Sequence, residues 1–182
     1  MSAAFKIAIV GSGPAGLSAA ARAAQLGLSH VLLEKTDHLS DTIYKYQKGK
    51  HVMAEPQVLP LRSPLAFSAG KREVVLDTWN RQLAKQRVNV RRGSEVVAIG
   101  GHDGAFEVQA RSGEVYFCRK VILAIGVQGN LRKLGAPGED LERVQYQLDD
   151  PDEYNDETIV VVGAGDAAIE NALALAGRNR VV

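Results

Sequence analysis

Two short glycine-rich turns, Gly11-Ser12-Gly13-Pro14-Ala15-Gly16 and Gly163-Ala164-Gly165-Asp166-Ala167-Ala168, each follow an apolar run and each open an alanine-rich stretch. This pairing constrains the fold more than any other feature of the chain. A first glycine permits the tight bend from strand to helix, a second lets the backbone approach a pyrophosphate, and a third lets the helix pack closely on the strand. The new helix then presents free amides and the positive end of its dipole to the phosphates. One such turn describes a single nucleotide-binding module; two in one polypeptide predict a chain that holds two dinucleotides.

The flanking sequence completes the first unit. Phe5 to Val10 has the β-branched content of a buried parallel strand, Ala15 to Leu26 reads as a helix closed by Gly27, and His30 to Glu34 reads as the next strand. Strand, turn, helix and strand within about 30 residues make a βαβ unit. From Thr36 to Gly70 the periodicity breaks down around Pro56, Pro60 and Pro64, which predicts a long irregular or partly helical excursion. Lys71 to Arg87 regains helical spacing, with Val74, Val75, Thr78, Trp79 and Leu83 on one face and Trp79 as its core anchor. Val88 to Val90 reads as a strand. Glu95 to Ile99, Phe106 to Ala110 and Glu114 to Cys118, punctuated by Gly100-Gly101, Asp103-Gly104 and Ser112-Gly113, read as an antiparallel meander. Lys120 to Gly126 reads as a separate apolar strand suited to burial on both faces.

The expected fold is therefore α/β. Residues 1–126 form a Rossmann-like domain of ββα type with a parallel sheet and an antiparallel β-meander, and the Gly-, Pro- and Asp-rich stretch 127–157 is a linker. Residues 158–182, with a strand from Thr158 to Val162 and a helix from Ala167 to Ala176, start a second Rossmann-like domain. The acid that would serve the second turn falls beyond Val182, so the sequence predicts a chain cut off inside that domain. Open strand edges over 158–182 then favour homo-oligomerisation or loose packing there.

A chain with 46% hydrophobic and 24% charged residues and a net charge of +1 is an ordinary globular one, and this balance argues against a nucleic-acid partner. The apolar start is short, is interrupted at once by Gly and Pro, and precedes no cleavage pattern, so a cytoplasmic protein without a membrane span is expected. The single Cys118 can form no internal disulfide and reads as a half-buried strand thiol. His30, His38, His51 and His102 stand singly without ligand spacing, so no metal site is predicted. Asp149-Asp150-Pro151-Asp152-Glu153 reads as a solvated acidic run.

Candidate binding residues follow from the turns. Gly11, Ser12, Gly13, Pro14, Ala15 and Gly16 face the first pyrophosphate, and Glu34 ends the second apolar run, where an acid accepts both hydroxyls of an adenosine ribose. Lys35 beside it, Val97 in the meander, and Ala124 and Gly126 at the end of the apolar strand are candidates for the same ligand. Gly163, Gly165, Asp166 and Ala168 are the candidates in the second turn.

In combination these segments resemble the thioredoxin-reductase-like branch of the pyridine nucleotide-disulfide oxidoreductases. The resemblance is carried by Gly11 to Leu17 with Ala20, Gly27 and Glu34, and by Val121 to Gly126, which ends Ala124-Ile125-Gly126 where the family usually has Ala-Thr-Gly. Ala136-Pro137-Gly138-Glu139 followed by Val160 to Glu170 carries the rest. It implies FAD at the first turn, NAD or NADP at the second, and hydride transfer from NAD(P)H to the flavin. Three departures matter. The interval from Val144 to Tyr154 lacks the redox Cys-x-x-Cys pair, as in the cysteine-free ferredoxin reductases and bacillithiol-disulfide reductase-like proteins. The Gly-Gly usual after the ribose acid is missing between Leu39 and Gly49, and the family's closing Gly-Asp segment does not occur in these residues. Tyr44 and Tyr46, with Lys45, Lys48 and Lys50, either face the flavin or its phosphate or are plain surface.

The expected function is that of an FAD-dependent, NAD(P)H-dependent oxidoreductase, of which these residues are expected to be a fragment, inactive by itself. Its acceptor is reached directly from the flavin: an iron–sulfur protein, a quinone or a small disulfide. The alternative is a module that binds FAD or another adenine nucleotide for regulation, without turnover.

Overall fold

The computed structural model describes residues 4–54, 62–127 and 133–182. Contacts divide the chain into two compact units, one made of Met1–Tyr44 and His51–Asn130, the other of Lys45–Lys50 and Leu131–Val182. Pro56 and Pro60 lie outside the described residues.

In the first unit, β1 (Phe5–Val10), α1 (Pro14–Gln25) and β2 (His30–Leu33) form the expected βαβ unit, with β1 and β2 parallel and Ile7 beside His30. α1 buries Gly16, Leu17, Ala20, Ala21 and Ala23, small side chains that let it lie close to the strands. Among its described residues the excursion holds a single turn of helix, α2 (Asp41–Tyr44), and a two-residue pair of strands, β3 (His51–Val52) and β4 (Gly70–Lys71). α3 (Arg72–Lys85) buries Val75, Trp79 and Leu83, four residues apart, which is one stripe of a helix. Val74, expected on that face, is 59% exposed; one residue from Val75, it sits about 100° round the helix. The Trp79 indole donates to Ala66 O at 3.2 Å and its ring lies 5.4 Å from that of Phe67.

The remaining strands are β5 (Val90–Arg91), β6 (Val96–His102), β7 (Ala105–Ala110) and β8 (Val115–Leu123), and the six-stranded sheet has the order β5-β2-β1-β8-β7-β6. Three expectations are corrected. Glu114–Cys118 and Lys120–Gly126 are not separate strands: β8 pairs antiparallel with β7 as far as Cys118 and parallel with β1 from Cys118 to Leu123. Nothing between them is a turn former, so the chain runs on, and β8 welds the meander to the parallel sheet. Its second half is not covered on both faces either, since Leu123 is 62% exposed and β7 has left its flank by that point. Gly100-Gly101, expected as a turn, lies inside β6 opposite Glu107 and Phe106, and the hairpin closes at Asp103-Gly104, a pair suited to a two-residue loop.

Ala8 and Val10, Val31 and Leu33, Val108 and Ala110, Tyr116 and Cys118 gather in one buried cluster, so parallel and antiparallel strands share a core. Cys118 is fully buried there rather than half-buried. His30 is also buried, accepting from Asn89 N–H at Nε2 (3.2 Å) with Nδ1 2.8 Å from Leu28 O.

The second unit contains β9 (Thr158–Ile159), α4 (Asp166–Ala176) and β10 (Arg180–Val181), with the two strands parallel. Leu148 and Leu175 are its only buried hydrophobic side chains among the described residues. Lys45–Lys50 is fastened within this unit: Lys48 pairs with Asp150 at 2.8 Å, Lys48 N donates to Asp149 O at 2.8 Å, and Lys50 pairs with Glu170 at 2.5 Å. The acidic run is therefore partly paired rather than simply solvated, as Asp152 also meets Arg178 at 3.1 Å.

Candidate functional site

The first glycine turn occupies the end of β1. Gly11 has φ 97°, a conformation open to glycine, and its N–H donates to Leu33 O at 2.8 Å, so the bend is tied to β2. A Cβ on Gly11 would stand 2.5 Å from Ala124 O, and one on Gly16 would stand 1.8 Å from Gly11 O and 3.3 Å from the Ala124 side chain. Ala124 itself donates to Val10 O at 2.8 Å. The structure thus brings Gly11, Gly16 and Ala124 together, and two of the three glycines are required by the protein's own packing.

Gly13 is different. It has φ −65° and ψ 178°, which any residue adopts, and a Cβ there would meet nothing within 4 Å. Its N–H has no hydrogen-bond partner among the described residues. Neither backbone nor packing calls for glycine here. Pro14 then occupies the first position of α1, where its missing N–H costs nothing, and Ala15 follows it in the first turn of the helix.

Glu34 follows directly on β2 and is 5% exposed. Its Oε2 accepts from Ser12 N–H at 2.9 Å and Ser12 Oγ–H at 2.5 Å, and its Oε1 from Thr36 N–H at 3.0 Å; the single proton of Thr36 Oγ is shared between Glu34 Oε1 at 3.0 Å and His38 O at 2.7 Å. A buried carboxylate needs such donors, and here they aim it at the turn. Ser94 N–H donates to Glu34 O at 2.7 Å, which places the start of β6 on the same rim. Lys35 is exposed there, close enough to Glu95 to help lower its pKa, an effect due first to the Arg111 guanidinium. Val97 is 50% exposed two residues further on, and Gly126 stands past the end of β8 with φ 66° and open space around it.

The second turn repeats the pattern in the other unit. Gly165 precedes α4 and a Cβ there would again meet nothing, while a Cβ on Gly163 would come 3.6 Å from Ala168. Asp166 opens the helix, and Ala168 N–H donates to Gly165 O at 2.9 Å. Among the other candidates, Lys48 and Lys50 are bound up in the second unit, and Tyr44 stacks on His38 at 3.7 Å.

Residue spacing did not reveal Thr36 or Ser40. Ser40 is buried with φ 57° and donates from N and Oγ to Ser12. Its one trace in the sequence is its place, just after Leu39, where the family's paired glycines are missing.

Among the described residues no helix is long and apolar enough to cross a membrane, and no cluster of His, Cys, Asp and Glu could hold a metal ion. A family model for pyridine nucleotide-disulphide oxidoreductases matches residues 8–182. The ferredoxin–NADP reductase of Ignicoccus hospitalis is 32% identical over 169 residues, covering 92% of this chain and 52% of that relative. Bacilliredoxin reductase of Bacillus subtilis is 27% identical over 174 residues, covering 93% and 53%. The solved bacillithiol disulfide reductase of Staphylococcus aureus superposes with a TM-score of 0.81 at 25% identity, over 97% of this chain and 55% of that one. The chain spans about half the length of the curated relatives it matches.

Proposed function

Because the chain belongs to the pyridine nucleotide-disulphide oxidoreductase family, we propose that its first unit holds the ADP half of FAD and its second glycine turn the pyrophosphate of NAD(P)H. The observation that carries this reading is Gly13, a glycine with open space and a free amide, beside the oriented carboxylate of Glu34. The residues present fit the group: Gly13 N–H and the start of α1 supply donors to phosphate, and Glu34 supplies an acceptor to ribose hydroxyls. Gly165 and the start of α4 offer the same to the second dinucleotide.

Bound flavin and nicotinamide supply the redox chemistry; the task of this chain is to hold and orient them. Residues 1–126 carry the first site and residues 158–182 the second, with 127–157 between them, in a reductase working in the cytoplasm. No cysteine lies between Val144 and Tyr154, so electrons reach the acceptor directly from the flavin. The names of the ferredoxin–NADP reductase and the bacillithiol disulfide reductase favour an iron–sulfur protein or a small disulfide as that acceptor.

Titration of the 182-residue chain with FAD and with ADP tests the reading. Saturable binding of both, weakened more than tenfold by Glu34→Gln, is the expected result, on the order of 1.4 kcal/mol or more. Absence of ADP binding, or a variant that binds as tightly as the parent, overturns it.

A further inference from the structure

We propose that Ser40 is a positioning residue for the phosphate turn: acting through the Ser12 carbonyl, it aims the Gly13 amide at the pyrophosphate of the bound dinucleotide. This rests on the reading of the first unit as an FAD site, and adds to it a residue outside the glycine turn.

Ser40 is 1% exposed and holds φ 57°, a left-handed conformation that an L-residue other than glycine keeps only when its surroundings impose it. Its carbonyl accepts from Ile43 N–H and Tyr44 N–H, both at 2.8 Å, at the start of α2, while its two donors go to a single residue. Ser40 N–H lies 3.0 Å from Ser12 Oγ and 3.2 Å from Ser12 O, and Ser40 Oγ–H donates to Ser12 O at 3.1 Å. Ser12 meanwhile spends its own N–H and Oγ–H on Glu34. Every polar group of Ser12 is thereby engaged on the protein side of the turn.

The consequence concerns the next peptide. In a trans peptide the C=O and the following N–H point in opposite directions. With Ser12 O drawn toward Ser40, Gly13 N–H is turned away from it, and that N–H has no partner among the described residues while the space beside Gly13 is open. Glycines flank Ser12 on both sides, so little in the local backbone would hold this peptide plane if Ser40 released it. Glu34 fixes the ribose end of the ligand; Ser40 fixes the direction of a phosphate donor.

The test is Ser40→Gly in the 182-residue chain, with Ser40→Ala as a second variant. Dissociation constants for FAD, ADP and adenosine are measured by calorimetry, or by NMR line broadening for adenosine, along with the melting temperature of the ligand-free protein. Glycine accepts the positive φ, so Ser40→Gly is expected to melt at or above the parent temperature. FAD and ADP are expected to bind roughly five- to tenfold more weakly, the effect of a misdirected hydrogen bond, while adenosine, which has no phosphate, is unchanged. Ser40→Ala shifts the same two ligands in the same direction. Unchanged FAD and ADP constants in Ser40→Gly, or an equal loss for adenosine, overturn the proposal. If the parent chain binds neither FAD nor ADP, the FAD reading itself fails and this proposal falls with it; a parent that binds beside an indifferent Ser40→Gly sinks the positioning role alone.

Discussion

At the scale of single residues, the three glycines of the first turn separate by what each one touches. Gly16 faces Gly11 O across a gap that a Cβ would close to 1.8 Å, whereas Gly13 faces open space. Gly16→Ala is therefore expected to destabilise the fold by several kcal/mol, as overpacking against backbone does (~1–3 kcal/mol or more). Gly13→Ala is expected to leave the melting temperature within about 2 °C, since a surface change away from such contacts is usually within ±0.5 kcal/mol, and yet to weaken ADP binding by tenfold or more. Thermal melts and titrations on the two variants check this; equal melting temperatures would remove the distinction. The turn and Glu34 were legible because a glycine turn and an acid at the end of the next apolar run have a fixed spacing that shows in the sequence, and the structure joins them through Ser12. Thr36 and Ser40 were not, because what makes them matter is a backbone angle and a carbonyl direction, neither of which has a periodicity.

At the scale of elements, β8 shows why strand boundaries were the weakest part of the reading. The segment changes from alternating to continuous apolar character at Arg119-Lys120, which looks like a break, yet no glycine or proline stands there and the backbone simply exchanges one neighbour for another. Cys118 sits at that exchange. Burial raises its thiol pKa from the ordinary value of 9.0, with a backbone hydrogen bond from Ala8 opposing in part. The folded state thus favours the neutral thiol. The resulting stability is fully present below pH 9.0, the unfolded value, and is lost as pH rises through the raised folded value. Cys118→Ala should flatten that part of the stability curve, measured by denaturant unfolding between about pH 8 and 11; parallel curves for parent and variant would show that the thiol contributes nothing. On α3 the stripe of Val75, Trp79 and Leu83 implies that Val75→Asp unfolds the unit or costs several kcal/mol, on the order of a buried unpaired charge. Val74→Asp, on an exposed position that spacing alone assigned to the core, is expected to change stability by less than about 0.5 kcal/mol.

For the molecule as a whole, the buried hydrophobic side chains are concentrated in the first unit, with Leu148 and Leu175 the only ones described in the second. Amide protection follows packed core rather than secondary structure alone. Hydrogen exchange is therefore expected to be slowest in β1, β2 and the first half of β8, and faster by orders of magnitude in α4; slow exchange throughout α4 would contradict this. The fold class was readable because two glycine turns and a βαβ period each leave a strong mark. The ownership of Lys45–Lys50 was not, because a six-residue excursion joined to a distant segment by ion pairs carries no local signal. That excursion also sets an order of birth. Lys48 leaves the ribosome 102 residues before its partner Asp150, a delay of roughly 5–20 s at about 5–20 residues per second. The first unit thus begins to fold with a piece of the second held out as a loop between Tyr44 and His51, waiting for a partner not yet synthesised. Residues 131–182 thus gather a segment made long before them.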